Sequence, residues 1–353
     1  MRNGTEGSGG TRRRHRRRLA GALAVLLATL APGPAPASAA EPACQPGTDL
    51  TPKLAADGRL ARIEAEAAKV PNGEGRFWRV EKDGLPPSYL FGTMHLSDPR
   101  ILARPPAVEA ALGAAKTVVI ETLDVLDQGK SDLLVLAHPE LMMLPAGKSL
   151  DDYLSPEEKR ESDALFAKAG TPYAAVRTLQ PWFTAMGVML PGCEAARAAA
   201  GAHPLDIALA LDAKAAGKVL VGLESSLEQL QAMASMDMEL QVANLLSILR
   251  VKDTIPDLFE TLTDFYLAGR IGAIGPLSEI ATETPDSPQA SGAAYAQFEQ
   301  RIVTDRNRRM AERLAPQLAA GGVLVAVGAL HLPGEEGLVE LLRRAGYRVT
   351  RAD

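Results

Sequence analysis

The chain has 353 residues, 46% of them hydrophobic, with 38 Lys and Arg against 43 Asp and Glu, enough for one large domain or two small ones with a proper core. Its first 40 residues hold seven of the arginines and one of the acidic residues, so the remainder carries 31 basic against 42 acidic groups, a net charge near −11. An acidic body repels phosphate backbones, which excludes a nucleic-acid partner.

Residues 1–40 have the three parts of an export signal. Six arginines flank His15 between Arg12 and Arg18, an apolar stretch covers 19–31, and Ala37-Ser38-Ala39 supplies the small residues of a cleavage site. Cleavage after Ala39 is expected, giving a secreted or periplasmic chain. The 13-residue stretch is short of the roughly 20 residues that a spanning helix needs, so membrane association is expected only if the leader stays uncleaved. Residues 41–353 read as a single α/β domain. They contain two cysteines, Cys44 and Cys193, and export places both where disulfides persist. A disulfide is the default reading; the alternatives are two isolated thiols or a soft metal site, against which the absence of CxxC or CxxH spacing argues.

A helix is expected over 52–69, with Leu60, Ile63 and Ala67 on its apolar face. Phe77-Trp78-Arg79-Val80 and Ser88-Tyr89-Leu90-Phe91 read as a β-hairpin across Lys82-Asp83-Gly84-Leu85-Pro86-Pro87. It leads into Gly92-Thr93-Met94-His95. After a helix over about 106–115, Thr117-Val118-Val119-Ile120 makes a buried strand that ends in Glu121. Helical signals fill about 123–217, with Ser155-Pro156-Glu157-Glu158 as a start and Gly170 as a stop. Residues 218–223 form another short strand that ends at Glu224, and Ser225-Ser226-Leu227-Glu228 is a capping box for the next helix.

A second helical insertion, about 225–318, is rich in Met and Leu, and Met233, Met236 and Met238 read as interior packing. Within it, 275–292 holds Pro276, Pro285 and Pro288 and reads as a loop, and a long helix is expected over 293–318. The strand 323–327 ends in Gly328-Ala329-Leu330-His331, before a helix at 337–344 and a last strand at 347–350. Strands alternating with helices argue for an α/β core, a mixed central sheet with flanking helices and large helical insertions. Neither a solenoid repeat nor a heptad run appears.

Ligands of open α/β sheets collect beyond the carboxyl ends of the strands, and His95, Glu121, Glu224 and His331 all fall there. Two imidazoles and one or two carboxylates suit Zn²⁺, Mn²⁺, Co²⁺ or Fe²⁺. Gly92 and Gly328, three residues before each histidine, permit a tight strand exit and close approach of backbone to a ligand. On the long helix, Arg306 falls between Ile302 and Met310 at four-residue steps, so it faces inward beside Asn307 and needs a carboxylate or an anionic ligand. Glu121 and Glu224 are the candidate partners. His138 and His203 each precede a proline in loop-like contexts and are not expected to bind metal, and Asp206 is a weak candidate for an N-cap or an acid behind a histidine. H-E-x-x-H, G-x-S-x-G and a P-loop are all absent.

Tyr89-Leu90-Phe91-Gly92-Thr93-Met94-His95-Leu96, Val118-Val119-Ile120-Glu121, residues 217–224, Asp305-Arg306-Asn307-Arg308-Arg309-Met310-Ala311 and residues 327–334 together resemble the TraB/GumN family. The likeness spans nearly the whole mature chain. Pro42-Ala43-Cys44, Pro181-Trp182-Phe183 and Pro191-Gly192-Cys193 resemble its secreted bacterial branch, which supports a Cys44–Cys193 bridge. The family is related to the Tiki metalloproteases, dependent on Mn²⁺ or Co²⁺, and to erythromycin-esterase-like and ChaN-like folds. The resemblance implies metal-dependent hydrolysis, with His95, Glu121 and His331 at its centre.

The sequence thus points to a secreted metallohydrolase, a peptidase acting on a peptide or another small secreted substrate. His95 and His331 are the expected metal ligands, Glu121 a ligand or general base, and Glu224 a further ligand or orienting acid. Arg306 and Asn307 are expected to hold a substrate carboxylate or an oxyanion. The alternatives are a non-catalytic protein that sequesters a peptide or glycan in the same pocket, and a structural protein with a vestigial site.

Overall fold

Six strands make one sheet in the order β4-β3-β5-β2-β1-β6. The computed structural model describes residues 45–283 and 288–353; the leader and Cys44 lie outside the described residues. β1 (Phe77–Glu81) and β2 (Ser88–Thr93) form the expected hairpin, with Trp78 opposite Leu90. β2, β3 (Thr117–Ile120), β4 (Val219–Gly222) and β5 (Val323–Gly328) run parallel, and β6 (Arg348–Arg351) closes the other edge antiparallel to β1.

Apart from the β1–β2 hairpin, strands that are neighbours in space are far apart in sequence, and β5 is inserted between β2 and β3. Each such crossing needs a helical connection, because parallel neighbours cannot be joined by a tight turn. β5 is buried at all six positions, as a strand covered on both faces must be. Its alternate side chains divide between two cores. Leu324 and Ala326 join Phe77, Phe91, Val118 and Leu209 on one face; Val323, Val325 and Val327 join Trp78, Leu90, Met310 and Leu314 on the other.

The two insertions pack on each other. Phe166, Ala185 and Val188 from the first meet Val242, Leu245 and Leu249 from the second, so segments expected only to be helical make a core of their own beside the sheet. Among the described residues no helix is long and apolar enough to cross a membrane.

Three expected boundaries change. The helix over 52–69 is two helices, Thr51–Ala56 and Arg59–Ala67, divided at Gly58, whose φ of +81° ends the first. The segment 275–292, read as a loop, is largely helical: Ile274–Ala281 and Pro288–Phe298 flank residues outside the described set. Pro276 lies in the first turn of one helix and Pro288 begins the other, positions whose N–H has no helical partner to lose. The long helix begins earlier than expected and is interrupted by a π-helical turn, Glu299–Thr304, before continuing as Asp305–Ala320.

Gly92 is needed for space. A Cβ there would stand 2.8 Å from Leu332 Cδ1 and 2.9 Å from Ala329 Cα, so β2 and the turn after β5 touch through a missing side chain. The Tyr266 hydroxyl donates to the Gly92 carbonyl at 2.8 Å and holds the strand from the opposite core. Gly92→Ala should therefore destabilise the fold by about 1–3 kcal/mol, the usual cost of overpacking. A urea midpoint unchanged from wild type would show that the contact yields freely.

Candidate functional site

The parallel register brings the four strand ends to one side of the sheet. Thr93 pairs with Gly328, Ile120 with Ala326 and Ile120 with Gly222, so the residues just beyond these pairs emerge together. His95 and His331, 236 positions apart by their numbers, meet because β2 and β5 are neighbours. β3 places Glu121 between them, its Oε1 3.9 Å from His95 Nε2 and 3.7 Å from His331 Nε2.

Glu121 is tightly held. Oε1 accepts the Gly328 N–H at 2.7 Å, and Oε2 accepts Arg306 Nη2 at 2.5 Å and Gln229 Nε2 at 3.0 Å. Three of the roughly four lone-pair sites of a carboxylate are used, and the remaining one belongs to Oε1. His331 is buried and its tautomer follows from its neighbour. Asn307 Nδ2 donates to the Glu336 carbonyl at 2.8 Å, which turns Asn307 Oδ1 to His331 Nδ1 at 2.7 Å. Nδ1 must carry the proton, so Nε2 presents a bare lone pair toward Glu121. His95 Nδ1 stands 3.1 Å from Asp206 Oδ1. This is an ion-pair contact without the alignment of a hydrogen bond, because that oxygen has no hydrogen-bond partner.

Arg306 answers the expectation of an inward cation. Its Nε and Nη2 donate to Glu224 Oε2 at 2.9 and 2.7 Å, Nη2 also reaches Glu121, and Nη1 donates to the Ile302 carbonyl in the π-helical turn. Glu224 has a fully buried side chain, and its second oxygen faces Arg309 at 3.3 Å. Both oxygens of Glu224 are thus engaged by guanidinium groups. Asn307, expected to hold a substrate carboxylate or an oxyanion, is 1% exposed and committed to His331 and Glu336, so it positions the imidazole.

Charge follows from this enclosure. Burial would raise the Glu121 carboxyl, but the imidazoles, Arg306 and the Gly328 N–H hold it down to about 2. Burial pushes His331 down to about 4 despite Glu121, so it is neutral at pH 7 in the metal-free chain. For His95 burial acts downward too, but Asp206 and Glu121 outweigh it and raise it to about 9. Its side chain is 60% exposed, yet into a cavity it shares with Glu121, Asp206 and Arg306, so these carboxylates act on it at short range.

Gly328 makes the space between these groups. A Cβ on it would lie 3.1 Å from Glu121 Oε1, 3.5 Å from His95 Nε2 and 3.5 Å from His331 Cδ2. With φ −50° and ψ 136° the backbone would accept alanine, so the glycine is needed for room. Two donors bound to one ion at roughly 2.0–2.2 Å each lie no more than about 4 Å apart, and the separations of 3.7 and 3.9 Å fall within that span. Two imidazoles and a carboxylate are donor types that divalent cations take. As the side chains stand, no group of three or more His, Cys, Asp or Glu among the described residues is placed to hold a metal ion.

Gln229 had no sequence signal beyond lying one residue after the Ser225–Glu228 capping box, which the structure contains. Asp206 sits in the first turn of the Leu205–Ala215 helix behind His95, and Pro204 is the N-cap. His138 pairs with Glu140 at an exposed position. Met238 packs in the helical core as expected, but Met233 and Met236 line the cavity.

The TraB/PrgY/gumN family model matches residues 76–351, and the chain belongs to that family. It is also similar to two proteins named metalloprotease TIKI1. The one from Danio rerio is 24% identical over 318 residues, covering 77% of this chain and 62% of that protein. The one from Homo sapiens is 23% identical over 320 residues, covering 78% and 61%. The chain spans about three-fifths of the length of these curated relatives. No solved structure matches.

Removing one partner of a buried ion pair typically costs about 3–5 kcal/mol. Arg306→Met should destabilise the protein by that amount, measured by urea denaturation, because Glu121 and Glu224 lose their shared cation. A loss below about 1 kcal/mol, the value of a surface pair, would contradict the buried arrangement.

Proposed function

We propose that this protein is an exported metal-dependent hydrolase, specifically a peptidase, with His95, Glu121 and His331 holding one divalent cation. The observation that carries this reading is the cradle at Gly328, where two imidazoles and a carboxylate surround the volume of an absent side chain. Similarity to proteins named metalloproteases supports it. The donor set suits Mn²⁺ or Co²⁺, which the family resemblance favours, and Zn²⁺ as well.

A cation held there would supply Lewis acidity toward a substrate carbonyl and a water made acidic enough to attack near neutral pH. Asn307 fixes the His331 tautomer and leaves Nε2 free to bind, as the usual partner of a ligating imidazole does, while Asp206 Oδ1 stands 3.1 Å from the other ring nitrogen of His95. Glu121, held ionised down to about 2, is suited to be a ligand; a general base needs a pKa nearer the working pH. Arg306 lines the cavity, and Nη1 has one N–H more than the Ile302 carbonyl uses, which leaves a donor for the negative charge that develops on a carbonyl oxygen.

The leader would be removed near Ala39, with Cys44 bridged to Cys193 in the oxidising compartment. The bridge is supported by the Cys193 sulfur lying 3.4 Å from the carbonyl oxygen of Gln45, the residue after Cys44. It would contribute about 3–5 kcal/mol in the chain-entropy model.

Incubating the mature chain with a diverse peptide library and Mn²⁺, Co²⁺ or Zn²⁺, read by mass spectrometry, tests the reading. Cleavage should require metal, stop with chelator and be lost in Glu121→Gln. Peptides retained without cleavage under every metal would instead identify a sequestering protein. Asn307→Leu should weaken metal affinity about 10–100-fold, the usual effect of losing a partner behind a ligand; unchanged affinity by calorimetry would remove its positioning role.

A further inference from the structure

The helix Gly192–Ala199 in the first insertion buries one residue, and that residue is Glu194. A carboxylate is rarely buried unless it is paired and hydrogen-bonded, so its partners define its task. Glu194 Oε2 accepts the Ser97 N–H at 2.8 Å and the Ser97 hydroxyl at 2.7 Å. Its Oε1 accepts Arg197 Nη2 at 2.5 Å, and Arg197 in turn stands 3.8 Å from Asp98. The charge of Glu194 is thus met within its own helix, while two of its bonds reach a segment 97 positions away.

Ser97 lies two residues after His95, in a stretch that needs an anchor. Residues 94–98 belong to no strand or helix, so no ladder fixes their backbone. His331 is buried and tied to Asn307. The His95 side chain, by contrast, is 60% exposed and meets Asp206 without the alignment of a hydrogen bond. Packing of its own ring therefore does not decide where this imidazole stands. The backbone around it does, and contacts on either side hold that backbone: the Tyr266 hydroxyl on the Gly92 carbonyl, the Leu205 N–H on the Leu96 carbonyl at 3.1 Å, and Glu194 on Ser97. Glu194 supplies the charge-assisted bonds among these, roughly twice as strong as neutral ones.

We infer that Glu194 is a positioning residue for His95, acting through Ser97, and that the first helical insertion thereby sets the geometry of the strand-end site. The inference takes its catalytic meaning from the hydrolase reading, but the placing of the imidazole needs neither metal nor turnover. Cys193, which adjoins Glu194, lies 3.4 Å from the Gln45 carbonyl, so the N-terminal segment touches the same helix.

The test is the proton–nitrogen correlation spectrum of the histidine rings in the metal-free chain, with the His95 signals assigned by their loss in His95→Gln. In Glu194→Leu the His95 ring signals should shift or broaden while those of His331 stay in place. Co²⁺ affinity by calorimetry should fall about tenfold in the same variant, the lower end of the effect of losing support behind a ligand. Phe166→Leu loosens the core that the two insertions share and should leave both readouts unchanged. Ser97→Ala removes only the hydroxyl bond to Glu194; it should also move the His95 signals, and it carries the test if circular dichroism shows Glu194→Leu unfolded. His95 signals that stay in place in the folded variants would overturn the inference. So would an equal response in Phe166→Leu, which would mark general loosening. Moved His95 signals with no Co²⁺ bound even in wild type would uphold the inference and remove the metal reading. Unmoved signals with Co²⁺ bound would do the reverse.

Discussion

The guanidinium of Arg306 joins the ends of β3 and β4 to the helix behind them, through Glu121 at 2.5 Å and Glu224 at 2.7 Å. A cation with 8% of its side chain exposed persists only when its charge is met. Here two carboxylates meet the charge, while acceptors take four of its five N–H groups. The π-helical turn at Glu299–Thr304 contributes by presenting the Ile302 carbonyl to Nη1. Such turns are frequent at functional sites. The remaining geometry depends on this anchor. With Oε2 occupied by Arg306 and Gln229, Glu121 keeps Oε1 directed at the histidines.

Sheet order and absent side chains complete the arrangement. β5 lies between β2 and β3, so His331 and His95 come from adjacent strands and Glu121 from the strand on the other side. Gly92 lets the turn after β5 approach β2, and Gly328 keeps open the volume between the three donors. The two glycines have the same place in their motifs but different tasks, one serving packing and the other the site. The pocket thus continues from a charged, hydrogen-bonded floor into an open apolar cavity lined by the two insertions.

Much of this was legible in the sequence. The strand ends were readable because short β-prone runs each stop at a polar residue, and in a parallel sheet such stops converge. Arg306 was readable as inward because it keeps the four-residue step of Ile302 and Met310. Periodicity gives a face and not a partner, which is why Asn307 was expected at the substrate and proved to hold His331, and why Glu224 could be read as a ligand. Pro276 and Pro288 read as loop signals because proline usually breaks a helix, but both fall in a first helical turn, where it is tolerated. Met233 and Met236 look the same in sequence whether they fill a core or line a cavity, since both uses place apolar side chains inward. Gln229 lies far in sequence from its partner Glu121, and no local pattern marks it.

The most direct measurement is the visible absorption spectrum and metal stoichiometry of the folded chain titrated with Co²⁺, in wild type, Glu121→Gln and Gly328→Ala. One Co²⁺ per chain is expected in wild type, with d–d bands that weaken or vanish in both variants. Gly328→Ala should retain its circular dichroism, because its backbone accepts alanine and only the cradle is filled. Identical spectra and stoichiometry in all three proteins would contradict a cation site at His95, Glu121 and His331.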